Sequence, residues 1–127
     1  MNISKYSKKK FYEGIVLWRV DDEFADPMFN YLIYGFSTGS FFTSVLANDF
    51  LSAVAHSHPS NTITALKALT GWMQDYMPRR AFGSYEAVKE WLDMDEATRR
   101  EILIMQNLIF TPKQETFLEI KGEECEM

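Results

Sequence analysis

The sequence predicts a mainly α, compact bundle of about five helices in a single domain, and three observations lead there. Apolar residues recur at helical spacing through the middle of the chain. Prolines, glycines and N-capping residues punctuate that pattern at the intervals of short helices. The 127 residues are 46% hydrophobic and 15% aromatic, enough to fill one core and too apolar for a disordered chain. The domain is expected to span 1–127, with an ordered core over 11–121 between a basic N-terminal end and an acidic C-terminal one.

The ends form the exception to the helical pattern. Tyr12 to Val20 and Thr116 to Lys121 are the stretches richest in β-branched and aromatic residues, and the second alternates in polarity. A two-stranded β ribbon formed by the terminal segments is therefore expected, with pairing to a second copy as the competing arrangement. Asp26 and Pro27 read as N-cap and first residue of a short helix through Tyr34, which Gly35 ends. Ser37 or Thr38 is placed to cap the next helix, from about Ser40 to Ala55, which His56, Ser57, His58 and Pro59 stop.

Ser60 or Asn61 caps a third helix, whose stripe is Leu66, Leu69, Trp72, Met73, Tyr76 and Met77, closed by Pro78. Ser84 is an N-cap for Tyr85 to Leu92. Asp93, with Glu96 three residues on, has capping-box spacing for a last helix to about Phe110, closed by Thr111–Pro112. That helix carries apolar residues on more than one face, so Ile102, Met105 and Ile109 are interface candidates, together with Trp18 and Phe117.

Charge and cysteine content narrow the function classes. The formal charge is −5, from 18 acidic and 13 basic side chains, which argues against nucleic-acid binding. The single Cys125 forms no internal disulfide and fits a reducing compartment. The basic start MNISKYSKKK leads into a stretch interrupted by Glu13 and Arg19, too charged for a signal peptide or a membrane span. A cytoplasmic protein without membrane attachment is expected.

Three constellations have the residue types for chemistry. On a continuous helix over 40–55, Asp49 would fall between Val45 and Ala53 inside the apolar stripe, with Asn48 at its edge. A carboxylate so placed needs donors: a backbone cap, Arg79 or Arg80, or a ligand. His56 and His58 are a two-ligand fragment of a metal site, and they equally suit a helix C-terminus. Arg79 and Arg80, just ahead of a helix start, suit an anion or a core carboxylate. No phosphate loop, nucleophile elbow or zinc-protease motif is present. No cofactor and no enzymatic activity are expected.

A longer pattern runs through the middle: Tyr31-x-x-Tyr34-Gly35, Gly39-Ser40-Phe41-Phe42, Ala47-Asn48-Asp49-Phe50, Ala53, Ala55, Asn61, Trp72, Pro78, Gly83-Ser84 and Trp91. It resembles a group of small uncharacterised proteins encoded by phages and prophages, over about Phe29 to Leu92. The chain departs from that group at Ser44-Val45-Leu46, where Ala-Val-Leu is usual, and at Ala81-Phe82, where a tryptophan often precedes Gly-Ser. The resemblance implies a phage or mobile-element setting and no particular activity. The expectation is an accessory protein that binds a host protein, such as a defence or gene-expression factor, and forms a homo-oligomer or acts alone. The alternative is a small-ligand (nucleotide or anion) binding protein or small hydrolase, with its site around Asp49, His56, His58 and Arg79.

Overall fold

The basic start of the chain is helical, not extended. In the computed structural model, which describes residues 3–56 and 63–126, Lys5–Leu17 forms α1. The Ser4 side chain accepts from the Ser7 amide at 3.2 Å and caps it. Ser7, Phe11 and Ile15 fall four apart and are buried, so a helical stripe overrides the β-branched content further along. The other half of the expected ribbon is also a helix, α8, Pro112–Glu126. Thr111 Oγ1 accepts from the Gln114 amide at 3.2 Å, and Gln114 Oε1 accepts from the Thr111 amide at 2.9 Å. That reciprocal capping box, with Pro112 as first helical residue, starts a helix where the sequence reading ended one. No strand occurs among the described residues. The terminal segments do meet: the Phe110 amide donates to Ser7 Oγ at 3.0 Å, and Lys10 Nζ lies 4.8 Å from the Phe110 ring centre.

Between them run α2 (Asp22–Phe29), α3 (Ser40–Leu46), α4 (Phe50–His56), α5 (Ile63–Tyr76), α6 (Tyr85–Asp93) and α7 (Glu96–Met105). Asp26 is not a cap. The helix starts earlier, with Asp22 and Glu23 in its first turn, and it carries Pro27 inside it. Asp26 Oδ1 instead accepts from the Tyr12 hydroxyl at 2.5 Å, tying α2 to α1. The last helix expected from Asp93 to Phe110 begins after Asp95, whose carboxylate accepts from Thr98 Oγ1 at 2.5 Å. It ends at Met105 because Asn107 turns left-handed, at φ 62°. The expected cap at Ser60 or Asn61 lies outside the described residues. No helix among the described residues is long and apolar enough to cross a membrane.

The centre of the core is a π-helical turn, Asn30–Tyr34, in which Tyr31, Leu32 and Ile33 are fully buried. Gly35 closes it at φ 66°, as the sequence predicts, with its amide on the Tyr31 carbonyl at 3.1 Å. Three side-chain contacts hold this turn. The Tyr31 hydroxyl donates to the Ala81 carbonyl at 2.7 Å, and burial holds its pKa well above the ordinary value. Trp91 Nε1 donates to the Tyr31 carbonyl at 3.0 Å. Arg99, only 4% exposed, donates from Nη2 to the Tyr34 carbonyl at 3.2 Å and from Nη1 to the Met94 carbonyl. Around them pack Phe11, Phe29 and Trp72, with Phe11 edge-on to both rings at 5.4 and 5.7 Å.

Gly35 meets a double constraint, since a Cβ there would lie 2.8 Å from the Arg99 guanidinium carbon and the backbone is left-handed. Gly35→Ala is expected to lower the unfolding free energy by about 2 kcal/mol or more in urea titration. Gly14→Ala, in the interior of α1 with nothing within 4 Å of the added carbon, is expected to raise it by about 0.5–1 kcal/mol.

Candidate functional site

The expected single helix over 40–55 is two helices, α3 and α4, broken at Ala47–Asn48–Asp49. Asn48 adopts φ 60°, a conformation that asparagine tolerates better than most residues. The Asn48 amide then returns to the Val45 carbonyl at 3.1 Å and the Asp49 amide to the Ser44 carbonyl at 2.9 Å. The Leu46 carbonyl, orphaned by the break, accepts from the Gly83 amide at 2.7 Å. Asp49 therefore leaves the apolar stripe and becomes the cap of α4. Its Oδ1 accepts from the Ser52 amide at 3.2 Å, and its Oδ2 accepts from the Tyr85 hydroxyl at 2.6 Å. The Tyr85 hydrogen bond first, and the Ser52 donors next, hold the Asp49 carboxyl below the usual carboxylate range. The Asn-Asp pair is a stop followed by a start, a signal that helical periodicity alone conceals.

Of the other sequence candidates, His56 lies near enough to help lower the pKa of the Asp49 carboxyl, whereas no contact joins Arg79 or Arg80 to it among the described residues. Arg79 and Arg80 lie on the 3₁₀ turn Arg79–Ala81 and both side chains are exposed, while Asp49 is engaged by Ser52 and Tyr85. The start of α6 that follows them is capped by its own residue: Ser84 Oγ accepts from the Ala87 amide at 3.1 Å. His56 is the exposed last residue of α4, with Nδ1 2.8 Å from the Ser52 carbonyl, and His58 lies outside the described residues. Among the described residues no group of three or more His, Cys, Asp or Glu is arranged to hold a metal ion.

The interface candidates separate in the same way. Ile109 is a core residue and no surface, because the turn at Asn107 rotates it inward. Ile102 is partly buried against the core. Trp18 lies edge-on to Tyr76 at 5.6 Å and close over Gly71. Met105 and Phe117 remain exposed.

Beside Asp49 the structure forms a cleft of about 570 Å³ between the α3–α4 pair and α5. Phe41, Val45, Ala53 and Leu66 give it apolar walls, and Asp49 and Lys67 stand at its edge. On the adjoining surface of α4, Phe50 and Leu51 are 75% and 79% exposed, and Val54 is exposed beside them. The sequence reading places Phe50 in the apolar stripe of one continuous helix and does not single out Leu51 or Val54. The hydroxyls at the cleft, Ser44 and Thr70, both bond back to carbonyls of their own helices, at 2.9 Å. The lining suits an apolar side chain better than a polar substrate.

Because Asp49 is held below its ordinary value of 3.8 in the folded chain, its stabilising contribution is complete above that value and is lost as the pH falls through the lower folded one. Tyr85→Phe is expected to melt at a lower temperature than the parent chain near neutral pH, with the difference shrinking as the pH drops below 3.8. Thermal melts of both proteins across that range measure it.

Comparison with known proteins finds no matching family, no matching curated protein and no matching solved structure.

Proposed function

We propose that this chain is a phage or mobile-element accessory protein that acts by binding a host protein, with the exposed face of α4 and its cleft as the contact. The observation that carries the reading is the exposure of Phe50, Leu51 and Val54 on a helix of 7 residues, next to an apolar cleft. Clustered aromatic and aliphatic side chains beside a preformed hollow are the usual make-up of an interface centre. Burying Phe50 and Leu51 against a partner contributes about 1.5–3 kcal/mol each. An apolar anchor on a partner helix is the matching ligand for the cleft. Asp49 and Lys67, of opposite sign at its edge, supply polar contacts at the rim.

The setting rests on the resemblance of the segment from Phe29 to Leu92 to phage-encoded proteins. The choice of a host defence or gene-expression factor as the partner rests on that setting. The small-ligand reading keeps one support, the cleft volume, which falls within the ordinary size of ligand pockets. Against it, no contact joins Arg79 or Arg80 to Asp49 among the described residues, and Asp49 is already engaged by Ser52 and Tyr85.

The test is affinity capture from host lysate with the parent chain and with Leu51→Asp. A stoichiometric protein partner is expected with the parent, and at least about a thirtyfold weaker association is expected with the variant. The melting temperature of the variant is expected to stay unchanged, since Leu51 is exposed. Capture that is equal for both proteins, or absent for the parent, contradicts the reading.

A further inference from the structure

We propose that a cavity at the converging ends of α1, α5 and α7 is a binding site for a quaternary ammonium group. The cavity holds about 260 Å³. Leu17 and Trp18 line it from the end of α1, Tyr76 from the end of α5, and Asn107 and Leu108 from the turn that closes α7. The carbonyl end of a helix carries partial negative charge, and a basic side chain in the last turn is its common complement. None of these three helices, of 13, 14 and 10 residues, has a basic residue in its last turn. Arg19, which follows α1, lines a different cleft, and the Lys10 ammonium lies over the Phe110 ring, 4.8 Å from its centre. Glu13 adds a full negative charge to the lining. Its contact with Lys9, at 3.8 Å between two exposed side chains, is too weak to take that charge away.

The walls select the kind of cation. Trp18 and Tyr76 meet at 76° with ring centres 5.6 Å apart, which makes a corner, and the buried Phe11 and Trp72 rings complete the lining. Aromatic faces attract cations, most strongly where water is excluded. A primary ammonium would bring three donors that a mostly carbon lining does not satisfy, whereas a quaternary ammonium brings none. The volume lies below that of drug-sized pockets and suits a compact head group. Gly14 is the independent observation. It lines the cavity from the interior of α1, and nothing lies within 4 Å of the place a Cβ would take, so no neighbour requires glycine there. Glycine weakens a helix interior, and close approach of a ligand to the backbone is one use that offsets this. The cavity shares no lining residue with the α4 cleft and does not depend on the host-partner reading.

Titration of the full chain with choline, followed by tryptophan fluorescence, tests the site against the neutral isostere in which tert-butyl replaces the trimethylammonium head. Saturable quenching by choline is expected, with a dissociation constant at least about tenfold below that of the isostere. Glu13→Gln is expected to weaken choline at least about threefold and to leave the isostere unchanged. Gly14→Leu, which fills the cavity, is expected to remove both, while circular dichroism keeps its helical amplitude because leucine is the better helix former. Acetyl-trimethyl-lysine amide carries the same group on a peptide. Binding tighter than choline assigns the group to a peptide, and weaker binding assigns it to a free small molecule. Choline that does not saturate, equal affinity for choline and its isostere, or a Gly14→Leu chain that binds as the parent does each overturns the proposal.

Discussion

Tyr31 is the residue on which the rest of the structure depends. Its side chain and its backbone carbonyl point to different parts of the chain and both are satisfied inside the core, by Ala81 through the hydroxyl and by Trp91 through the carbonyl. A buried carbonyl or hydroxyl left without its partner costs about 1–3 kcal/mol, so the three segments hold one another in register. The π turn around Tyr31 presents these groups, and Gly35 with Arg99 closes it from the other end. Arg99 is a buried cation held by carbonyl oxygens, and its Nε has no hydrogen-bond partner among the described residues. Removing the side chain would leave two carbonyls unsatisfied and a cavity beside Gly35, which makes it a structural clamp.

The same logic accounts for the recurring turn and cap residues of the middle of the chain. Tyr31, Gly35, Asn48, Asp49, Gly83, Ser84 and Trp91 are the residues that close turns, cap helices or bridge segments. They specify a scaffold, and the surface proposed for binding on α4 adjoins it, since Asp49 both caps α4 and stands at the rim of its cleft.

Helical class, the left-handed Gly35, the Ser84 cap and the buried face of α5 were legible in the sequence, because each rests on local spacing or backbone chemistry. The ends were not. Ile15 and Val16 favour strand by composition, yet their place is decided by the stripe of Ser7, Phe11 and Ile15 against Phe29 and Trp72. Thr111–Pro112 was legible as a boundary, but proline stops one helix and starts another equally well, and Gln114 completes the start. Asp49 looked buried because periodicity treats the 40–55 segment as continuous, whereas one left-handed residue resets the phase of everything after it. Phe50 then moves from the apolar stripe to the surface. Two π and 3₁₀ turns escape periodicity altogether, since neither repeats at 3.6 residues.

The central claim is a rigid framework pinned at Tyr31 that carries more loosely held contact helices. Native-state hydrogen exchange measures this most directly. The amides of the π turn and the Trp91 indole are expected to exchange only through global unfolding, while the amides of α4 exchange by local opening at a rate many-fold faster. Protection of α4 equal to that of the Tyr31 turn, or a π turn that opens as readily as α4, would contradict the account.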